Sequence, residues 1–79
     1  MITVTVKLYG TLPARFADYD RKTGIEVTLP QGADTAALFR RLDIDPQKAV
    51  AAVDGRIAGS GAPLQDGACV RLLQVAHGG

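Results

Sequence analysis

The sequence predicts a single α+β domain in which one sheet carries one helix across one of its faces. Apolar and polar residues alternate over residues 2–9 and again over residues 25–29, as they do in half-buried strands. Residues 34–42 instead have the apolar spacing of an amphipathic helix. Strands divided by a single helix favour a sheet with that helix packed across it.

The first two strands are expected to pair as an antiparallel hairpin, because only one polar segment separates them. Gly10 ends the first strand and Pro30 closes the second. The intervening segment, residues 11–23, is expected to be a loop with one helical turn that begins after a Thr11 cap.

The only convincing helix follows the second strand. Asp34 or Thr35 provides its N-cap. Leu38 and Leu42 are four residues apart and therefore lie on one face of the helix. The arginines at 40–41 fall on the solvent side, near the C-terminal end where the helix dipole favours cations.

The second half of the chain predicts a short hairpin and a final strand. An Asp-Pro pair at 45–46 breaks the chain after the helix. Ala49–Val53 and Arg56–Ala58 flank an Asp-Gly pair at 54–55, which is typical of two-residue hairpin turns. Residues 70–75 form the last strand, and the remainder of the chain is a short tail.

Size, charge and hydropathy disfavour several function classes. A domain of 79 residues buries only about 60% of its unfolded surface, which leaves little room for a deep active-site cleft. Nine basic and eight acidic residues nearly cancel, so no electrostatic argument favours nucleic acid or an anionic membrane as a partner. Residues 1–10 lack the pattern of a signal peptide, and no apolar run approaches the roughly 20 residues of a membrane span. The cytoplasm is the expected location.

No catalytic or metal-binding constellation can be assembled from the side chains. The single histidine, His77, lies near the end of the chain, where no triad can be built around it. The single cysteine, Cys69, has no disulfide partner and is interpreted as a structural strand residue rather than a nucleophile. Asp34, Asp54 and Asp66 have sufficient roles in a helix cap and two turns, which disfavours a catalytic carboxylate pair.

The remaining candidate for chemistry is the C-terminal pair Gly78 and Gly79. Fraying, a cloning scar or a truncation could also leave two glycines. As a working group, a terminal carboxylate must first be activated, for instance as an acyl-adenylate, and must enter a partner's active site as extended chain. Glycine suits both demands, because it has no side chain to clash and leaves its carbonyl open to attack.

Six segments of the chain resemble the MoaD/ThiS family of β-grasp sulfur carriers in order and spacing, over nearly the whole chain. These segments are residues 4–10, 25–35, 42–46, 53–56, 63–67 and 72–79. The resemblance implies a β-grasp, ubiquitin-like fold with a mixed sheet of four to five strands and one main helix. It divides the chain into a domain at 1–76 and a flexible Gly-Gly tail at 77–79.

The resemblance also implies the chemistry and the first partners. Gly79 would be adenylated by an adenylyltransferase of the ubiquitin-activating type and converted to a thiocarboxylate with sulfur from a desulfurase or rhodanese-type donor. Gly78 would be the spacer that lets Gly79 enter the partner. The chain itself would be a carrier rather than an enzyme and would bind no metal or cofactor, since Mg-ATP belongs to the activating enzyme.

Two acceptors are implied, the large subunit of molybdopterin synthase and thiazole synthase. The length of the chain, its first strand and its loop resemble the molybdopterin branch, in which it would be the small subunit of the synthase. Gln74 and Val75 stand where that branch usually has a proline pair, and they resemble the thiamin branch more. His77 is bulkier than the residues usual at its position. Molybdenum or tungsten cofactor biosynthesis is slightly favoured, and thiamin thiazole comes next.

Members of this family dock through the sheet and the tail, which identifies a candidate surface here. In the last strand, Val70 and Leu72 are expected to face the helix, so that the residues between them face outward. An outward apolar pair would mark an interaction surface, whereas the alternative is that this pair lies under the 11–23 loop. The expected partner-binding residues are Arg71, Leu73, Val75 and His77.

Two other functions remain open from the sequence. In a ubiquitin-like protein modifier, the same activated Gly79 would react with a lysine amine instead of a sulfur donor. In a non-catalytic β-grasp interaction module, the tail would be inert. Removal of the two terminal glycines separates the module from the carrier, because a module keeps its activity whereas a carrier loses it. Thiolation versus lysine adducts separates the carrier from the modifier.

Overall fold

The computed structural model describes residues 1–16, 19–59 and 61–75. The elements follow the predicted order of two strands, one helix and three strands, and a short 3-10 helix adds to them. They are β1 (Ile2–Leu8), the 3-10 helix (Leu12–Arg15), β2 (Ile25–Leu29), α1 (Thr35–Leu42), β3 (Ala49–Val53), β4 (Arg56–Ala58) and β5 (Cys69–Gln74).

The five strands form one mixed sheet in the order β2-β1-β5-β3-β4. The predicted β1–β2 hairpin is confirmed, with Ile2 opposite Leu29. β1 and β5 pair in parallel at the centre, and the other pairs are antiparallel. The predicted β3–β4 turn is confirmed too: Asp54 and Gly55 have φ angles of 49° and 87°, the left-handed pair that a type I′ turn requires.

The helix begins and ends where the sequence predicts, with Asp34 as its N-cap and Leu42 as its last residue. The side chain of Asp34 accepts a hydrogen bond from the Ala37 N–H at 2.9 Å, which confirms its role as the N-cap. Asp43 then adopts a left-handed conformation (φ 57°), and its N–H donates to the Arg40 carbonyl. This local turn ends the helix at Leu42, the last residue of the predicted segment, and the Asp-Pro pair follows it.

The predicted helical turn after β1 is present as the 3-10 helix, and Thr11 occupies its N-cap position as predicted. The side chain of Thr11 makes no capping bond, however. Its hydroxyl donates instead to Oε1 of Gln74, at 2.7 Å, because the loop packs against the end of β5. A long-range partner therefore replaces the local one that the sequence favoured.

Alternation divides the sheet into two faces with different surroundings. The covered face carries the side chains that pack with Leu38, Phe39 and Leu42 of α1 in the core. The open face carries the residues between them. Covered-face residues include Ile2, Val4, Val6, Leu8, Val27, Leu29, Ala49, Ala51, Val70 and Leu72. Open-face residues include Thr3, Thr5, Lys7, Glu26, Thr28, Val50, Ala52, Ile57, Cys69, Arg71 and Leu73.

The helix of the described segments is too short and too polar to cross a bilayer.

Candidate functional site

The last strand, β5, ends directly before the C-terminal tail of the chain. β5 ends at Gln74, and the description of the chain ends one residue later, at Val75. Gln74 and Val75 are called the tail root below. The predicted sulfur site, Gly78 and Gly79, and the predicted contact residue His77 lie outside the described residues.

The tail root is held from two sides. The Val75 N–H donates to the Lys48 carbonyl at 2.9 Å, which continues the pairing of β5 with β3 past the end of both strands. On the other side, Oε1 of Gln74 accepts hydrogen bonds from both the N–H and the hydroxyl of Thr11, each at 2.7 Å. The chain therefore leaves the sheet from a point that is fixed by groups before β3 and after β1.

An apolar patch lies on the open face beside the tail root. Leu73 lies opposite Val50, and Ala52 lies opposite Ile57. Ile57 is 69% exposed and Leu73 is 38% exposed, although both side chains are large and apolar. The open patch is defined by these four residues. Its exposed area comes mainly from Ile57 and Leu73, since Val50 is half-buried and Ala52 is buried. Exposed apolar area of this kind makes the patch a candidate for binding another protein.

Two cations lie next to the open patch. Lys7 of β1 and Arg71 of β5 are in register as neighbours on parallel strands, and Arg71 is in turn opposite Ala52 on β3. Side chains at such positions are about 5 Å apart at Cβ, so the two positive charges reinforce one another. A partner that covers the patch is favoured if it places an acidic group here.

The structure arranges the predicted contact residues largely as the alternation requires. Val70 and Leu72 are fully buried on the covered face, which confirms the predicted register. Arg71 and Leu73 lie exposed on the open face, and Val75 is half-buried at the tail root.

The loop after β1 does not cover this surface with its described residues. Leu12, Phe16 and Tyr19 pack against the core, on the covered side of the sheet. Thr11 likewise bonds to Gln74, whose alternation with Leu73 places its side chain on the covered side. The alternative position of the outward pair, under the loop, is therefore wrong for Leu73.

Four residues of the open patch and the tail root were missed at the sequence level. Val50, Ala52 and Ile57 complete the open patch, and their outward direction follows from the hairpin turn at 54–55 combined with alternation along each strand. The turn and the alternation can both be read from the sequence, so this outward direction could have been predicted. The role of Gln74 had no sequence signal, because its partner Thr11 is 63 residues away along the chain.

A groove of about 860 Å³ runs between α1 and the β3–β4 hairpin, and it is an alternative to the tail as a functional site. Its lining offers two hydroxyls. That of Thr35 donates to the Gly59 carbonyl and accepts from the Gly61 N–H, both at 3.1 Å. That of Thr11 is bonded to Gln74. Histidine and cysteine are absent from the groove lining within the described residues, and both hydroxyls are already hydrogen-bonded, so neither hydroxyl is paired with an imidazole base there.

The other candidates for chemistry have structural partners. Asp54 Oδ1 accepts from the Cys69 N–H at 3.0 Å, and the Asp54 N–H donates to the Cys69 carbonyl at 2.9 Å. Asp66 accepts from the Thr3 N–H at 2.8 Å. Both aspartates lie in turns, as predicted, and their carboxylates join those turns to neighbouring strands. Residues 1–16, 19–59 and 61–75 contain no group of three His, Cys, Asp or Glu residues that could hold a metal ion.

Comparison with known proteins supplies the context for this arrangement. A family model described as the ThiS family matches residues 11–79 of the chain. A solved structure from Pyrococcus furiosus, provisionally named as subunit 1 of a molybdopterin converting factor, is similar with a TM-score of 0.75 and 22% sequence identity. The similarity covers 96% of this chain and 100% of that one. No curated protein matches the sequence.

Proposed function

The chain belongs to the ThiS family, within the MoaD/ThiS group of small sulfur carriers, and from this premise we propose that it carries sulfur as a thiocarboxylate on Gly79. The observation that carries the proposal is the family match itself, which includes Gly78 and Gly79. The β-grasp fold supports it, because the fold provides a rigid domain whose last strand leads directly into the tail.

The proposed chemistry takes place on a partner and uses the carboxylate as its substrate. A carboxylate oxygen of Gly79 attacks the α-phosphorus of ATP, and pyrophosphate leaves. Hydrosulfide then attacks the carbonyl carbon of the acyl-adenylate, and AMP leaves with the oxygen, which gives the thiocarboxylate directly. A persulfide on a donor protein gives an acyl disulfide instead, and a thiol must cleave its S–S bond to release the thiocarboxylate. Activation is needed because the resonance-stabilised carboxylate is a poor electrophile, whereas AMP is a good leaving group. The carrier contributes an unhindered acyl group, since glycine places no side chain beside the reacting carbon.

The open patch is the proposed docking surface for the activating enzyme. Leu73 and Ile57 supply exposed apolar area, and Arg71 with Lys7 supplies positive charge at its border. Because the patch and the tail root lie on adjacent residues of β5, an enzyme that covers the patch has the tail beside its active site. Apolar anchors in a charged border are the usual source of affinity and orientation in such complexes.

For the acceptor, we propose the molybdopterin branch, with the chain as the small partner of a molybdopterin synthase large subunit. The similar structure from P. furiosus carries a name of that branch, which supports this choice. Thiazole synthase is the competing acceptor, in line with the match to the ThiS family model. Reconstitution with each acceptor separates them, because only the true acceptor consumes the thiocarboxylate and regenerates the free carboxylate.

The deciding experiment is an intact-mass measurement of the untagged protein after incubation with the adenylyltransferase of the same organism, ATP and a sulfur donor. The expected result is a mass gain equal to the replacement of one oxygen by sulfur, absent from a variant that lacks Gly79. A chain with no mass gain beside a demonstrably active enzyme would overturn the proposal. Adducts on lysine would identify a protein modifier instead.

A thermal-melting control shows that the truncated variant is folded. We expect removal of Gly79 to leave the melting temperature unchanged, because a glycine has no apolar side chain to bury. A large fall in the melting temperature would mean that Gly79 is packed in the domain, which contradicts its role as a free working group.

A further inference from the structure

We propose that Gln74 is a positioning residue that fixes the direction in which the tail leaves the domain. This inference rests on the proposed function, because direction matters only if the terminal carboxylate must reach an active site. Four residues follow Val75, and four residues can span at most about 14 Å. Over such a short reach, a change of direction at the root displaces the carboxylate by a distance that catalysis does not tolerate.

The side chain of Gln74 is held by two hydrogen bonds, although it is exposed at the end of a strand. A single oxygen, Oε1, receives two donors from Thr11, the backbone N–H and the hydroxyl. An exposed glutamine loses considerable side-chain entropy when it is held in one rotamer, and an exposed hydrogen bond contributes little to stability. The arrangement therefore contributes more to the position of the chain than to the stability of the fold.

Gly10 shapes the space into which Gln74 fits. Its φ angle is 70°, in the region that favours glycine, and a Cβ built on it would lie 2.6 Å from Gln74 Oε1 and 3.0 Å from Gln74 Cβ. Any side chain at position 10 would therefore push Gln74 away from Thr11. The absence of a side chain at this position is required both by the backbone conformation and by the packed glutamine.

The three hydrogen bonds of the tail root act on two different sides of the same strand end. The Val75 N–H joins it to Lys48, which precedes β3, and Gln74 joins it to Thr11, which follows β1. With Gln74 released, the root would keep only the β3-side bond and could rotate about it. The docking surface would be unaffected, because Gln74 lies on the opposite side of β5 from Leu73.

The first test needs no partner protein. In Gln74→Ala, hydrogen exchange of the Thr11 amide should become about three- to tenfold faster, as loss of one hydrogen bond predicts. The ¹⁵N order parameter of the Val75 amide should fall. Gln74→Glu should restore both values, because a carboxylate oxygen accepts the same two bonds. Gln65→Ala, at another exposed glutamine, is the matched control and should leave both unchanged. Unchanged exchange and order in Gln74→Ala would overturn the proposal.

The second test measures formation of the thiocarboxylate with the adenylyltransferase, ATP and a sulfur donor. For Gln74→Ala we expect kcat to fall about fivefold or more while KM changes by less than about twofold, since docking is intact and only the carboxylate is misplaced. Gln74→Glu should recover the rate. A mere loss of stability would not lower kcat for the folded fraction, so this split distinguishes positioning from a structural role.

The outcomes separate this inference from the proposed function. A wild-type chain that accepts no sulfur overturns the proposed function, and the exchange and relaxation data then decide the positioning role alone. An active wild type with an equally active Gln74→Ala variant overturns the positioning role and leaves the carrier function in place. Combining Gln74→Ala with Thr11→Val provides a further check, because two changes that act through one bond give less than additive effects.

Discussion

The covered face and the open face of the sheet are made from the same strands, residue by alternating residue, yet they bury different shares of their apolar side chains. On β5, Leu72 is fully buried against the helix layer, whereas its neighbour Leu73 is 38% exposed. On the β3–β4 hairpin, Ala51 is buried in the core, whereas Ile57 on the open face is 69% exposed. Composition alone does not separate the two faces, because both contain leucine, isoleucine or valine.

The difference between the faces indicates which apolar residues stabilise the fold and which are available for binding. Full burial of a leucine or isoleucine side chain contributes about 1.5–3 kcal/mol relative to exposure. Leu72 is fully buried and makes this whole contribution to the stability of the domain, whereas Ile57 is mostly exposed and makes only a part of it. A partner that covers the open patch would recover the rest, so substitutions on the two faces should affect different measurements.

The largest expected effect is on the covered face. Leu38 and Val6 are fully buried in the core, so Leu38→Ala and Val6→Ala should each lower the free energy of unfolding by roughly 2–4 kcal/mol through lost burial and a residual cavity. Chemical denaturation with a constant m-value measures this. Thr3→Ala, on the open face of the same strand as Val6, is the control and should change stability by less than about 0.5 kcal/mol. Equal effects at Val6 and Thr3 would contradict the assignment of the two faces.

A smaller effect is expected at the one buried polar side chain among the described residues, Thr35. Its hydroxyl bridges the Gly59 carbonyl and the Gly61 N–H, so Thr35→Val keeps the shape but leaves both backbone groups without that partner. The expected loss is about 1–3 kcal/mol. Thr28→Val, at an exposed threonine of the open face, makes the same chemical change and should be close to neutral. A neutral Thr35→Val would mean that water replaces the hydroxyl.

The sequence predicts most of the fold because the fold depends mainly on short-range patterns. Alternation gives β1 and β2, the Asp34 cap and the Leu38–Leu42 spacing give the helix, and the Asp-Gly turn gives β3 and β4. Each of these signals lies within one element or one turn, where local geometry decides the structure. The burial of Val70 and Leu72 follows from the same alternation.

The site was harder to predict because its contacts join distant parts of the chain. Thr11 resembles a helix cap until Gln74 is brought beside it by the parallel pairing of β1 and β5. The open patch likewise needs the order of the strands, which puts Leu73 next to Val50. The helix ends at Leu42 as predicted, but the left-handed conformation of Asp43 that closes it has no signal in the sequence. The assignment of Gly79 to sulfur chemistry came from family resemblance and stays a proposal.

The smallest expected effect on stability, and the largest on binding, is at the open patch. Leu73→Ala and Ile57→Ala should each change the free energy of unfolding by less than about 0.5–1 kcal/mol, because these side chains already contact water. Each should weaken binding to the activating enzyme by about tenfold, as expected when an apolar anchor is removed from the centre of an interface. Calorimetric titration against that enzyme measures the affinity.

Thr28→Ala is the matched control for the open patch, because Thr28 is exposed on the open face of β2, at the opposite edge of the sheet from β4. Its affinity should equal that of the wild type. If Leu73→Ala and Thr28→Ala bind equally well, the open patch is not the docking surface for the activating enzyme. If Leu73→Ala loses stability as Leu38→Ala does, Leu73 belongs to the core and the distinction between the faces fails on β5. Weaker binding at unchanged stability is the one result that both the fold and the proposed docking require.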